Sequence, residues 1–362
     1  MNIGVLTTSW PTEARPWAGH FIADLAAGLA SRGHRVAVCA PSWRGEALVS
    51  PAMPGLTISA ADLQIAAHHL PSSPEVWPLV LGGLHRAAQA ASSAAAPELW
   101  IANWWPTAIA APGGAPCIAV LHGSDVDLAE RLPRGFVRGL VTRLGGSIAV
   151  APHLGQRFQM VSRVPTRGVL PLGASRSTDE SAPERFTTWA FEERLRVLTV
   201  GRDARGKGLG VARDAAAMLN HVAWAFVTPD DGVGPAGVRA LLRHADALVV
   251  PSRDGAGLPA EGRPHVMTQA IVAGVPIVGG PNRAVRAAVR ELGQFEVAEG
   301  GALALATAVQ RALSVSHRAL HETAQRIGRD YAWSAVLPKW EALLTSCIAE
   351  ERTSRAMLSA GR

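Results

Sequence analysis

Two α/β domains in tandem, each a parallel sheet with helices on both faces, are predicted by three features of the 362-residue sequence. Short apolar runs alternate with amphipathic stretches up to about residue 174. A polar segment, ASRSTDESAPERFTT, then interrupts the pattern, and the same alternation restarts with RLRVLTVG. Taken in order, NIGVLTT reads as a strand. GHFIADLAAGLASRG places Phe21, Ile22, Leu25 and Leu29 at helical spacing and closes on Gly33. HRVAVCAP is strand-like again, which completes a βαβ unit. ELWIANW, CIAVLHG, GSIAVAP and RGVLPLG continue the series of strands, separated by helical or turn-rich stretches. After the polar break come RLRVLTVG, WAFVTP, ALVVPS and VPIVGG, with helix-like segments between them. From Tyr331 to Ala349, Trp333, Val336, Leu337, Trp340 and Leu344 recur on one side of a helix, and the final TSRAMLSAGR is expected to fray.

The expected plan is therefore two Rossmann-like, doubly wound parallel-sheet domains facing a central cleft. Residues 1–174 form the first and 175–190 a linker. Residues 191–330 form the second, and a C-terminal helix at 331–362 is expected to pack back on the first domain.

Nearly half the residues are apolar, enough for sizeable cores. Cys39, Cys117 and Cys347 are far apart and lack CxxC or Cys/His spacing, which suggests neither a disulfide framework nor a zinc site and fits a reducing cytoplasm. The opening MNIGVLTTSW has no basic n-region before an apolar stretch, and no segment approaches the roughly 18–20 apolar residues that span a bilayer. Secretion by a signal peptide and membrane integration are not expected. A net charge of +6 points to anionic partners. Of the basic residues only Lys207 and Lys339 are lysines, so a lysine's position is informative.

The segments able to carry chemistry follow predicted strands, where an open α/β sheet forms its ligand crevice. VGRDARGKG offers Arg202 and Lys207 on a glycine-rich turn, which suits a diphosphate or else is a solvated basic loop. In PSRDGAGLPAEGRPHV, Pro264 fits a first helical turn and Gly262 permits close backbone approach. Glu261 then precedes a helix N-terminus, either as a capping carboxylate or as an acceptor for sugar hydroxyls.

These segments, in their order and spacing, resemble the family 4 glycosyltransferases of the GT-B fold. The family's donor-domain pattern is matched by Gly201, Arg202, Lys207 and Gly208, by Ala245, Asp246, Pro251 and Ser252, and by Glu261, Gly262, Pro264, Ala273, Gly274 and Pro276. In the N-terminal half, SWPTEARPWAGHFIADLAAGLASRGHRVAV and LHGSDVD are similar to its opening loop and its H-G-S-D turn. VAPHLGQRF, PLGAS and YAWSAVLPKWEALL extend the resemblance over most of the chain.

The resemblance implies retaining transfer from a nucleotide-diphosphate sugar to a glycan or lipid-linked acceptor, in polysaccharide or glycolipid assembly, with no metal or other cofactor. It implies that Arg202 and Lys207 neutralise the diphosphate, that Gly19 and Gly201 leave room for it, and that His122 faces the donor sugar. Glu261 would bind sugar hydroxyls, and the amides of Arg263, Pro264, His265 and Val266, at the mouth of the helix, mark where the phosphate lies; as Pro264 has no N–H, its neighbours supply the donors. Candidates for the acceptor side are His20, Trp104, Trp105 and Asp125; the two tryptophans either stack on a sugar or pack in the core, and Asp125 has an alternative role as a turn-forming carboxylate. Three departures stand out. Gln269 occupies the position of a second glutamate, whose role in the family is to bind ribose. About 37 residues separate Gly208 from Ala245, less than the family usually has. Arg263 replaces a common apolar residue and either reaches a phosphate or points to water.

ERLPRGFVRGLVTRLGG sets Arg131, Arg134 and Arg138 on one stripe and Leu132, Phe136 and Leu140 on another. A basic amphipathic helix over 130–144 would suit an anionic membrane surface, so a cytoplasmic, peripherally bound enzyme is expected, with no nucleic-acid partner. A non-catalytic sugar-nucleotide-binding or scaffold protein, or a nucleotide-sugar epimerase, are the alternatives.

Overall fold

The computed structural model describes residues 1–68, 70, 73–176, 181–204, 206–254, 262–296, 300–314 and 317–360. The chain forms two compact units, one of Met1–Ala14, Ala18–Pro171 and Val336–Arg362, the other of Arg15–Trp17 and Leu172–Ala335.

The first unit is built on a seven-stranded parallel sheet among the described residues. Its strands are β1 (Asn2–Leu6), β2 (Arg35–Ser42), β3 (Leu56–Asp62), β4 (Leu99–Ala102), β5 (Cys117–Leu121), β6 (Leu144–Ala149) and β7 (Thr166–Val169), in the order β3-β2-β1-β4-β5-β6-β7. Helices α1 (His20–Ser31), α2 (Trp77–Ala95), α3 (Ser124–Arg131), α4 (Arg134–Leu140) and α5 (Pro152–Ser162) connect them. Strands β4 and β5 are apolar and buried at every residue, because helices cover both faces. On β1, a side chain at Gly4 would come within 2.3 Å of the Trp100 indole, so the glycine makes room for the largest core residue of β4. Strand β3 was not expected from the sequence. It is an edge strand of mixed exposure in which only Leu56 and Ala61 are buried, and LTISAAD carries no continuous apolar run.

The second unit has a five-stranded parallel sheet among the described residues: β8 (Leu195–Val200), β9 (Val222–Val227), β10 (Ala247–Val250), β11 (Ile277–Gly279) and β12 (Phe295–Glu296), in the order β12-β11-β10-β8-β9. A short helix, α6 (Thr187–Ala190), precedes it; α7 (Leu209–Ala217), α8 (Pro235–His244), α9 (His265–Ala273), α10 (Arg283–Glu291), α11 (Ala302–Ser314) and α12 (His317–Tyr331) follow in turn. One core lies under α8, α9, α10 and α12 and takes in Phe186, just before α6. The other lies under α7 and α11.

The last helix, α13 (Trp333–Ala360), returns to the first unit from Val336 onward. Trp340 is fully buried and donates its indole N–H to Pro171 O at 3.1 Å. The tail expected to fray is helical through Ala360. The single basic helix expected over 130–144 is two helices, because Leu132 is extended and Pro133 starts α4 anew. Arg131 therefore ends α3, Arg138 donates to Val161 O at 3.2 Å, and Phe136 stands exposed while Val137 is buried. Among the described residues no helix is long and apolar enough to cross a membrane. All three cysteines are unpaired and buried, and burial pushes the thiols of Cys39 and Cys117 up to about 12.

Candidate active site

Each sheet has a point where the strand order reverses, and loops leaving the strands there diverge into a crevice. In the first unit it lies between β1 and β4, since the chain runs outward from β1 to β3 and returns to β4 beside β1. Polar residues follow both strands at once. The Thr7 hydroxyl donates to Ser9 O at 2.9 Å, so its oxygen is left to accept. Asn103, just past β4, donates its amide N–H to Thr7 Oγ1 at 3.1 Å, which turns its carbonyl oxygen toward His122. His122 Nε2 lies 2.8 Å from that oxygen and must donate. This chain of donors fixes the imidazole as the Nε2–H tautomer and leaves Nδ1 with its lone pair. Burial lowers the pKa of His122 to about 4, so the ring is neutral near pH 7. The Phe21 ring packs against it, centroids 5.1 Å apart.

Asp125 shapes the turn that carries His122. Its Oδ1 accepts from the backbone N–H groups of Gly123 at 2.7 Å, His122 at 3.0 Å and Val126 at 3.0 Å. Burial nonetheless pushes the carboxyl up to about 6 against these hydrogen bonds. Of its two expected roles the geometry supports the turn-forming one. Trp105 is a correction: it is fully buried and donates to Asp125 O at 2.7 Å, so it braces the turn and presents no face for a sugar. Trp104 is also buried, edge to face with Trp77 at 5.2 Å, and its indole N–H meets no acceptor among the described residues. Gly19 starts α1 in the left-handed region (φ 62°), and a Cβ there would lie 2.2 Å from Ser9 O. His20 opens α1, half-buried, its ring edge-on to Phe21.

In the second unit the reversal lies between β8 and β10, and the loops after these strands hold the predicted donor residues. Gly201 donates to Val227 O at 3.0 Å, Lys207 N donates to Ala204 O at 3.0 Å, and Arg253 N donates to Gly206 O at 2.8 Å. Gly208 is left-handed (φ 72°), and a Cβ there would lie 2.1 Å from Pro251 O, so this glycine seats the loop after β8 on the end of β10. Arg202 is exposed and Lys207 half-buried. Sequence reasoning missed Asp254 and Asn282. Asn282 caps α10 through Oδ1, while its Nδ2 donates to Asp254 Oδ1 at 2.7 Å and Arg283 N donates to Asp254 Oδ2 at 2.8 Å. The signal was present as an Asn directly before a helical run.

Glu261 lies outside the described residues. Gly262 is buried, and α9 begins at His265 with Pro264 as its N-cap, which supplies no side-chain cap. The amides of His265 and Val266 thus open the helix at its positive end. Arg263 is corrected: its side chain is 6% exposed, pairs with Glu291 and lies over the Tyr331 ring at 5.3 Å. Tyr331 donates to Glu291 Oε1 at 2.8 Å, so the buried Arg263 side chain is held by an ion pair to a half-exposed carboxylate and does not reach out for a phosphate. His265 Nε2 donates to Gly173 O at 2.8 Å and so holds the PLGAS turn. Gln269 is buried on α9 and faces a cavity shared with α8 and α12. His122 and its neighbours belong to the first unit, and Arg202, Lys207 and the α9 residues to the second. Among the described residues, no group of three or more His, Cys, Asp and Glu side chains is placed to hold a metal ion.

Residues 18–169 match the family described as Glycosyltransferase Family 4. No curated protein matches the chain. Among solved structures, the chain is similar to a sucrose-phosphate synthase from Thermosynechococcus elongatus, with a TM-score of 0.74 at 16% identity over 97% of this chain and 100% of that one. It is also similar to Anabaena HepE in complex with UDP-glucose, with a TM-score of 0.63 at 15% identity over 96% and 100% of the two chains. WaaG, a glycosyltransferase involved in lipopolysaccharide biosynthesis, gives a TM-score of 0.61 at 15% identity over 93% and 98%. Residues 18–169 thus resemble Glycosyltransferase Family 4, in a chain with the two-domain GT-B fold.

Proposed function

We propose that the protein transfers a sugar from a nucleotide-diphosphate donor to a glycan or lipid-linked acceptor, with retention of configuration and without a metal. The observation that carries this reading is the loop from Gly201 to Gly208, seated at the strand-order reversal with Arg202 and Lys207 on it. Cleavage of the glycosyl–diphosphate bond develops negative charge on the leaving oxygens, and fixed cations beside helix N–H groups stabilise it. The amides opening α9 and the two side chains supply that environment. The sugar develops positive charge, and the neutral His122 adds no repulsion there. The departing phosphate takes the acceptor's proton, so no dedicated protein base is required. Glu261 binds the donor sugar's hydroxyls in this reading. HepE, whose structure holds UDP-glucose, supports the donor class. A cytoplasmic enzyme docked on an anionic membrane would present exposed Arg131, Arg134 and Phe136 to it.

Hydrolysis and transfer assays with UDP-, GDP-, ADP- and dTDP-sugars test the proposal. One donor is expected to turn over, with loss of more than about 100-fold in Lys207→Ala and Glu261→Ala. Donor binding without turnover across a broad acceptor panel would instead indicate a sugar-nucleotide-binding scaffold, and an epimerised donor without acceptor would indicate an epimerase.

A further inference from the structure

A cavity of about 270 Å³ opens among α8, α9, α12 and the turn at Ser175 and Arg176, all within the second unit. That is many times the roughly 10–15 Å³ that a single water requires. Its wall carries the side chains of Arg176, Arg239, Arg243, Gln269, His321 and Gln325, and no carboxylate among the described residues lines it. Arg176 and Arg243 are exposed at its mouth, and Arg239 is half-buried. Arg239 and Arg243 also hold partners of their own, but a guanidinium has five N–H donors and one partner does not exhaust them. Gln325 donates to His321 Nε2 at 2.7 Å, which ties the α12 side of the wall together.

Gln269 is the decisive residue. It is only 6% exposed, yet its amide makes no hydrogen bond with the described residues and borders the cavity. An amide that borders the cavity without a partner among the described residues has its hydrogen-bonding groups available to a ligand there. Where the family resemblance places a glutamate, a carboxylate would stand beside three arginines and offset part of their charge. The amide adds no negative charge and offers two N–H donors.

We infer that this cavity is a phosphate-binding site, in which the guanidinium groups of Arg176, Arg239 and Arg243 and the Gln269 amide hold a phosphate or phosphate ester. The inference stands on the cavity and does not require the transfer reaction. The phosphate could be free or belong to a nucleotide, and the two sources separate experimentally. Phosphorus NMR and calorimetry at low salt, with inorganic phosphate and with UDP as separate probes, test it on the full chain. Phosphate is expected to bind the wild type, and at least about tenfold more weakly to Gln269→Glu and Arg176→Gln, each with an unchanged melting transition. Lys207→Ala, which alters the loop after β8, is expected to leave phosphate binding intact. If UDP displaces the phosphate from Lys207→Ala, the site takes a nucleotide phosphate; if it does not, the site takes free phosphate. Equal binding to Gln269→Glu and wild type, binding lost in Lys207→Ala, or no phosphate binding in the wild type would each overturn the inference.

Discussion

With its Nε2 proton held by Asn103, His122 sits in the turn as a neutral ring, and the acid sensitivity of folding follows from that. The folded-state pKa near 4 is below the ordinary 6.5, so the unfolded chain takes up the proton first, and stability is lost as pH falls through this window. Asp125 works in the opposite sense. Its pKa near 6 exceeds 3.8, so the folded state binds its proton first and regains stability as pH falls through that range. In urea titrations, His122→Gln should therefore lose less stability than wild type between pH 7 and pH 5. Asp125→Ala strands several backbone donors and should destabilise by roughly 2–4 kcal/mol, whereas Asp125→Asn, which keeps an acceptor oxygen, should lose less. Nitrogen-15 spectra of the imidazole should show one tautomer in wild type and a mixture in Asn103→Ala. The turn was legible in the sequence as HGSD, but the tautomer was not. It depends on Thr7 and Asn103, which are 96 positions apart in the chain and meet only because β1 and β4 are neighbours.

At the scale of the element, the central strands were read from continuous apolar runs buried on both faces, whereas β7, an edge strand with no buried residue, was read from the short apolar run in RGVLPLG. Edge strands β3 and β12 escaped, one because it is of mixed exposure and carries no apolar run, the other for its two-residue length. Arg263 shows a related limit: its position before α9 suggested an anion contact, but its true partners come from α10 and the end of α12. The loop after β8 is held by backbone fit more than by side chains. Gly208→Ala should cost at least about 1–2 kcal/mol for the left-handed backbone, and more for the contact with Pro251. Thermal unfolding would measure the loss, and donor affinity should fall with it. An unchanged melting temperature would mean that the loop need not rest on β10.

For the whole molecule, α13 is the chain's return to its first unit, and its anchor is Trp340. Trp340→Ala should destabilise by about 3–5 kcal/mol in denaturant titrations, far more than alanine at an exposed position such as Phe136. Membrane docking belongs to this scale as well, because it draws on the net charge of +6 in addition to any single arginine. Sedimentation with anionic vesicles should carry the protein down at low salt, less so for Phe136→Asp, and not near 1 M salt, where the screening length is about 3 Å. Failure to sediment at low salt would remove the membrane from the proposed function.

The buried thiols have a practical consequence. Cys39 and Cys117 stay protonated throughout the working range of alkylating reagents, and Cys347 is buried with its pKa raised too. Because only the thiolate reacts, the native protein should be nearly silent toward maleimides. A cysteine introduced at an exposed position in each unit could then take a dye without removing any native cysteine, and the distance between the two units, with and without a sugar nucleotide, could be followed by fluorescence.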